Sequence, residues 1–506
     1  MHMKNEHIKI GKISKLLLLS NGVIAIIYFS WWFDIRHSTT IFLYGLLFFG
    51  EVYHVTMAVT FWLNLWPNPS HPRLFSGKFT PSIDIYITVA GEPYEIIVQT
   101  AQAAKKLKKY AHEIYLLNDG FASKKENWQD VEVIASQLGI HCITRKKSKG
   151  AKAGNINNAL RQTTGDIICI FDADMVAHPD FLEKIIPYFK DSHIGFVQSP
   201  QYYKNFTDND VTRVAWEQQS FFYGPILQGK EKDNAVFICG TNVAIRRNAL
   251  EQVGGMCEDT IAEDFLTSLF IHQKGWKSLY VTEVLAEGLA PHDLSSYYKQ
   301  QLRWARGSLE VLFSQNPFFK KGLTFRQRVH YLSSALYYFN GIIVLIDISL
   351  PLIFLFTRQQ AVVAATTTFA IFFVPFMFLN LYTLYLASEK TITFRAIAFS
   401  QSLWILQLQA IVFSLFHIPM KFSITSKKAE KSSSLHLAIP HLLYIFISVI
   451  AISVGLSREG LNPAMATNIS WIVFNILLFL PFIRVAYPWN SIFARSRIVS
   501  FAKMFL

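Results

Sequence analysis

Residues 166–174 read Asp166-Ile167-Ile168-Cys169-Ile170-Phe171-Asp172-Ala173-Asp174, five apolar side chains in a row closed by two carboxylates one residue apart. So short and β-branched a run predicts a buried strand that ends in acid. Working outward, residues 82–89 form a second β-rich apolar run, and a helical stretch follows Pro93. A strand near 113–118, a helix from about 123, a short strand near 140–144 and a helix through 152–162 complete the set. Strands alternating with helices predict an α/β domain with a doubly wound mixed sheet. Such sheets bind ligands beyond the carboxyl ends of their strands. Gly91-Glu92, Asp119 and the pair Asp172/Asp174 all stand there.

Each motif has a chemical reading and a plainer one. Asp172 and Asp174 can hold a divalent ion between protein and phosphate oxygens, since Mg²⁺ and Mn²⁺ take oxygen ligands and keep waters and substrate phosphates. The plainer reading is a solvated turn. Asp119, in Asn118-Asp119-Gly120, can accept the imide N–H of a uracil base, although that triplet is also good turn chemistry. Lys152-Ala153-Gly154-Asn155 opens a helix with small residues that permit close approach and a lysine that can meet phosphate. Glu263-Asp264 offers a carboxylate to take the proton of an attacking hydroxyl, or simply acids at a helix start. Gln300, Arg303 and Trp304 share one helical face by their spacing. The arginine can clamp a leaving diphosphate and the indole can face a sugar ring; a tryptophan at a membrane boundary is the alternative. Gly240-Thr241-Asn242 is a tight polar turn that lines an acceptor pocket or merely packs, and Gln198-Ser199-Pro200-Gln201 is similar.

Hydrophobic residues make up 51% of the 506, Phe alone counts 43, and the net charge is +13. Mean hydropathy is +0.26. Apolar runs at 14–33, 40–63, 331–357, 361–387, 437–456 and 467–486 are each near the roughly 20 residues a helix needs to cross a bilayer. Lysines before the first run place the N-terminus inside, so the block between the second and third runs is cytosolic. Segment 395–419 is apolar enough for a seventh span, but Gln401, Gln407 and Gln409 interrupt it. Crossing would also put Lys421, Lys427, Lys428 and Lys431 outside. It is therefore expected to lie in the interface, as is 297–316, with Trp304, Leu309, Val311 and Leu312 facing lipid or channel. Six spans result, with both termini cytosolic. Cytoplasmic flanks of spans explain the basic charge without nucleic acid, for which no motif exists. Cys142, Cys169, Cys239 and Cys257 lack CxxC spacing and are expected to be reduced and mostly buried.

Taken in order, these motifs resemble those of processive family-2 glycosyltransferases of the cellulose synthase type: D, DxD, TED, QxxRW and, at Phe422-Ser423-Ile424-Thr425-Ser426-Lys427, the FxVTxK gating loop. The resemblance covers about 67–490. It implies a glycosyltransferase-A domain beside a membrane channel, a UDP-sugar donor (UDP-glucose foremost), Mg²⁺ or Mn²⁺ on Asp172 and Asp174, and inversion at the sugar carbon. Glu92, Asp119, Lys152, Arg303, Phe422, Thr425 and Lys427 would contact the donor. Asp264 would be the base beside Glu263, and Trp304 would stack the acceptor sugar, with Gln300 on the same face. Two departures stand out: Asn118 replaces a first aspartate, and Ala262 replaces the TED threonine. The implied division is 1–66, two spans; 67–325, the cytosolic catalytic domain; 326–394, spans three and four; 395–435, interfacial helix and gating loop; and 436–506, the last two spans and a cytosolic tail. Too little chain follows the last span for a cyclic-di-GMP-binding PilZ module. The expected partners are UDP-sugar, the growing glycan and the lipid of a bacterial plasma membrane, with self-association left open. The alternatives are a non-processive transferase to a lipid acceptor, a synthase using UDP-GlcNAc or UDP-GlcA, and a non-catalytic channel subunit.

Overall fold

The computed structural model describes residues 11–66, 79–147, 149–362, 366–418 and 434–487. Its catalytic block is built on ten strands: β1 (Ile83–Val89), β2 (Glu113–Asn118), β3 (His141–Thr144), β4 (Ile167–Asp172), β5 (Val176–Ala177), β6 (Ile194–Gln198), β7 (Tyr202–Tyr203), β8 (Val243–Arg246), β9 (Lys277–Tyr280) and β10 (Ala286–Gly288). Seven form one sheet in the order β3-β2-β1-β4-β8-β6-β9, and β5-β10-β7 form a small second one. β8 runs antiparallel to both its neighbours and the remaining pairs of the large sheet are parallel. The expected doubly wound mixed sheet is therefore present.

Strand periodicity explains why the central strands read as unbroken apolar runs. Ile83, Ile85, Ile87 and Val89 of β1, with Ile167, Cys169 and Phe171 of β4, enter one hydrophobic cluster. Tyr86, Ile168 and Ile170 enter a second on the opposite face. A sheet covered on both faces needs apolar residues at every position. At the amino end of these strands Asp84, nearly fully buried, accepts from Arg247 Nη2 at 2.9 Å and from the Gly165 amide at 2.8 Å.

The helix expected from about 123 begins at Asp130 instead. Asn118 holds the intervening residues in turns: its Oδ1 accepts the Gly120 amide at 2.9 Å and its Nδ2 donates to the Trp128 carbonyl at 2.8 Å.

Seven described helices are long and apolar enough to cross a membrane. Six match the expected runs: Lys15–Trp32, Ile41–Leu65, Phe325–Thr357, Thr368–Ala387, Leu435–Glu459 and Pro463–Ala486. The seventh, Phe394–Leu415, is the segment expected in the interface, and it is broken in two at Leu403. Two of the glutamines that argued against crossing are satisfied internally. Asn340 Nδ2 donates to Gln401 Oε1 and to Gln407 Oε1, each at 3.4 Å. The first half docks on the α/β domain. Glu217 Oε2 accepts Thr393 Oγ1 at 2.6 Å, Gln218 Nε2 donates to the Ala396 carbonyl at 3.3 Å, and Arg395 pairs with Asp210.

The helix Leu294–Gln315 corrects a second expectation. Leu309, Val311 and Leu312 do not face lipid; they are buried in the protein core. This helix packs between Trp404–Leu415 and Phe325–Leu336, so its apolar stripe is covered by protein on both sides.

Candidate active site

At the carboxyl end of β1, Glu92 Oε2 accepts the Ala90 amide at 2.7 Å. Beside it, Asp119 donates its amide to the Val89 carbonyl at 2.8 Å. Its Oδ1 receives both Nε and Nη2 of Arg145, at 2.8 and 2.6 Å. Burial raises the Asp119 carboxyl above its ordinary value, and the Arg145 guanidinium draws it back. Arg145 also donates to the carbonyls of Lys149 and Ala151, so it joins Asp119 to the start of the helix Ala151–Leu160. Only glycine fits at 154, where a Cβ would lie 1.9 Å from the Lys149 carbonyl oxygen and 2.5 Å from Arg145 Nη1. Arg145 was not among the sequence candidates. It follows the last residue of β3, at a strand carboxyl end like Asp119, and that criterion would have found it.

Lys152 lies one residue into the same helix. Its Nζ pairs with Asp172 Oδ1 and donates to the Gly240 carbonyl at 2.8 Å. The Asp172 side chain is 39% exposed, and its amide donates to Thr241 Oγ1 at 2.9 Å. Asp174 is buried, with Oδ2 3.4 Å from the Leu289 amide. Glu92 has its carboxyl raised by burial first and then by the charges of Asp174 and Asp172. Three acids thus gather at this strand end, and Lys152 pairs with one of them, Asp172. Among the described residues no group of three or more histidine, cysteine or acidic side chains forms a closed metal cage. One buried and one open carboxylate suit a divalent ion that takes its other ligands from phosphate and water.

Glu263 and Asp264 begin the helix Glu263–Gln273 on the far wall. Burial raises both carboxyls, and Asp264's charge raises Glu263 further; Lys152 and Arg303 pull both the other way. Asp264 Oδ1 accepts the Phe265 amide at 2.7 Å. Its Oδ2 faces Gly240, where a Cβ would stand 3.3 Å away and 3.7 Å from Lys152 Nζ. Burial disfavours the Lys152 ammonium, but Asp172, Glu263 and Asp264 outweigh it and raise its proton affinity. Lys152, Asp172, Glu263, Asp264 and Arg303 therefore share one electrostatic site, assembled from four separate motifs.

Arg303 and Trp304 are half-buried, whereas Gln300 is buried, its Nε2 3.5 Å from the Tyr203 hydroxyl and its Oε1 without a partner. The helix comes this close because residue 307 is glycine: a Cβ there would lie 2.6 Å from Ala262 Cβ. Ala262, the departure from TED, is thus the contact surface between the two catalytic elements. Arg306 is buried, donates from Nε to Glu310 at 2.7 Å, bonds the Ile418 carbonyl and lies 5.9 Å from the Phe413 ring.

The Gly240 turn is held from beneath. Gln198 Nε2 donates to the Thr241 carbonyl at 2.9 Å, its Oε1 accepts the Cys239 amide at 2.9 Å, and Asn242 Nδ2 donates to the Pro200 carbonyl at 3.0 Å. Thr241 and Asn242 are buried, so they support Asp172 and do not line a pocket; Gly240 alone reaches the site. Asn157 is occupied with Met256 and Glu258. All four cysteines are free, with Cys169 buried and the others partly so. Phe422, Thr425 and Lys427 lie outside the described residues.

Residues 85–307 match the family described as "Glycosyltransferase like family 2", and 247–485 the family described as "Cellulose synthase". The chain is 31% identical over 350 residues to the cellulose synthase catalytic subunit (UDP-forming) of Xanthomonas axonopodis pv. citri, covering 66% of this chain and 47% of that protein. It is 29% identical over 455 residues to the cellulose synthase 1 catalytic subunit (UDP-forming) of Komagataeibacter xylinus, covering 85% and 59%. With cellulose synthase 2 of Novacetimonas hansenii the identity is 27%, over 95% of this chain and 32% of that one. The chain thus spans about a third to three-fifths of the length of these curated relatives. A mannosyltransferase from Pyrobaculum calidifontis, solved with GDP-mannose and Mn²⁺, aligns over 74% of this chain and 100% of its own, with TM-score 0.52 and 16% identity. That likeness is one of fold.

Proposed function

This chain belongs to the cellulose-synthase-type family-2 glycosyltransferases, and we propose that it is a processive inverting enzyme that joins UDP-glucose into a β-linked glucan and passes the product through its own membrane helices. The observation that carries this reading is the convergence of Asp264 and Arg303 on the face where Lys152 meets Asp172.

Asp119 would accept the ring N–H of the uracil through Oδ2, since both Arg145 contacts use Oδ1. Lys152 and Arg303 would bind the diphosphate and counter the charge that gathers on it as the sugar leaves. Asp172 and Asp174 would hold Mg²⁺ or Mn²⁺, which when bound would supply Lewis-acid neutralisation of the same charge. Asp264 would take the acceptor hydroxyl's proton, helped by a proton affinity already raised by burial. The hydroxyl oxygen would then bond to the sugar's anomeric carbon as the bond to the diphosphate breaks, inverting α to β. Trp304 would stack the acceptor's terminal ring, and the partnerless Gln300 Oε1 would take one of its hydroxyls. The gating role of Phe422, Thr425 and Lys427 rests on their sequence alone.

The topology follows from the same reading. The catalytic block and both termini would be cytosolic. Phe394–Ser402 would lie in the interface, as its bonds to Glu217, Gln218 and Asp210 favour.

The test is polymer synthesis by purified protein in vesicles, given labelled UDP-glucose, UDP-GlcNAc or UDP-GlcA with Mg²⁺ or Mn²⁺, followed by linkage-specific glucanase digestion. High-molecular-weight, glucanase-sensitive product from UDP-glucose alone is expected. Glucose moved singly onto lipid would establish the non-processive transferase instead, and polymer from another donor would reassign the sugar.

A further inference from the structure

Three membrane-spanning helices carry a polar cluster that sugar transfer leaves unused. Glu51 and His54 are the ionisable acid and base of Ile41–Leu65, one turn apart, with Nδ1 and Oε2 at 3.9 Å. Asp347 is the single charged residue of Asn340–Thr357. It faces the first pair: a Cβ on Gly50 would stand 4.0 Å from its Oδ1, and it lies within electrostatic reach of His54 and Glu51. From Lys15–Trp32 comes Tyr28, fully buried, in electrostatic reach of Glu51 and Asp347, with a hydroxyl that finds no hydrogen-bond partner.

The cluster sits deep. Glu51 is ten residues from Ile41 and fourteen from Leu65, or about 15 and 21 Å along the axis. Its charges do not balance. Two carboxylates against one imidazolium leave a net negative charge, which hydrocarbon strongly disfavours. Among the described residues no other charge is at hand to cancel it: Lys230 bonds the His330 carbonyl, and Lys232 the Leu63 carbonyl at the far end of the helix. Lys15 begins its helix, and Thr366–Ala387 has no charged residue. Tyr53 is bonded to the Tyr337 carbonyl and His441 to the Ser402 carbonyl. Arg326 and His330 pair with Asp233, Arg328 bonds the Lys320 carbonyl, and Arg358 and Arg458 pair with Glu459. What remains is one missing positive charge, ringed by carboxylate oxygens and a hydroxyl that both donates and accepts.

The geometry points to a monovalent-cation site here: Glu51, Asp347 and Tyr28 hold one proton or one alkali ion, with His54 as the adjoining base. The Glu51 side chain, 10% exposed, is the closed part of the site, and His54, 40% exposed, is its outer edge.

The test is pH-difference infrared spectroscopy of the full-length protein in lipid nanodiscs without sugar donor, so that its outcome is independent of glycosyl transfer. In choline chloride, the wild type should show a protonated-carboxyl band that titrates, and Glu51→Gln or Asp347→Asn should abolish that component. If added Na⁺ or K⁺ removes the band, the site takes the alkali ion; if neither alters it, the occupant is the proton. Bands identical in wild type and both variants, in every salt, would overturn the proposal. Should those variants misfold, as UDP binding would report, Tyr28→Phe keeps every charge and should move the midpoint by about one pH unit. An unmoved midpoint in that variant would equally overturn it.

Discussion

Replacing Gly307 by alanine is expected to disable catalysis without touching any group that contacts substrate. The added Cβ would stand 2.6 Å from Ala262 Cβ, 3.1 Å from its amide nitrogen and 3.3 Å from its Cα. Carbon atoms rest about 3.5–4.0 Å apart, so the two elements must separate by roughly 1 Å. Neither gives way easily, because Ala262 is backbone-adjacent to Glu263 and Asp264 and residue 307 is buried within a helix. Overpacking of this kind costs about 1–3 kcal/mol of stability. The larger effect is on geometry, since a misplacement of about 1 Å between reacting groups can cost about 10²-fold in rate. In a steady-state assay of UDP release, kcat should therefore fall by about two orders of magnitude with a smaller rise in KM for the donor, because Arg303 moves with the helix while Asp119, Arg145 and Lys152 are untouched. Ala262→Gly in the same chain removes the closest contact and leaves the 3.1 Å one. It should recover part of the loss, a coupling that a double-mutant cycle measures. Wild-type turnover in Gly307→Ala, or a folded, UDP-binding variant that Ala262→Gly fails to improve, would refute the reasoning.

Asp264→Asn should retain UDP binding, measured calorimetrically, and lose transfer by more than about 10²-fold; normal polymer from it would remove the base assignment. Arg145→Met should weaken donor binding about tenfold or more and leave a buried, unpaired Asp119 behind, whereas unchanged affinity would make Arg145 merely structural. Glu263→Gln should raise thermal stability at neutral pH by an amount on the order of 1 kcal/mol. The sign follows from the raised Glu263 carboxyl. The folded protein holds its proton more tightly than the unfolded chain, so the ionised form costs stability as pH rises through the folded value. The gain should vanish below the unfolded value of about 4.3. Asp174→Asn should weaken Mn²⁺ binding in the presence of UDP, followed by electron paramagnetic resonance, and unaltered Mn²⁺ affinity would exclude that residue as a ligand.

The strands that carry the site were legible because burial on both faces demands unbroken apolar runs, and β1, β2 and β4 supply them. The acids at their ends were legible for the same reason: charge at the end of such a run has few structural uses. What could not be read were contacts between elements far apart in the chain. Nothing in Arg145 announces Asp119, nothing in Gly307 announces Ala262, and Asp347 meets Glu51 across nearly three hundred residues. The apolar face of Leu294–Gln315 was misread because lipid and a protein core select the same side chains. In the segment near 395–415 the partners of the glutamines could not be read, since Gln401 and Gln407 look like bare polar interruptions until Asn340 is known to meet both.

The pairing of Asp119 with Arg145 has a consequence for which nucleotides the enzyme would accept. The two Arg145 hydrogen bonds occupy Oδ1 and leave Oδ2 to act as an acceptor. The free Asp119 oxygen can therefore greet only a base edge that presents an N–H. Uracil and guanine present one on a ring nitrogen; a cytosine or adenine seated by that same ring position would offer a bare lone pair and be repelled. Leaving a buried polar group unanswered is among the strongest means of discrimination a binding site has. In a cell crowded with adenine nucleotides, one prearranged ion pair would thus act as a filter, turning away the commonest wrong ligands before any sugar is inspected.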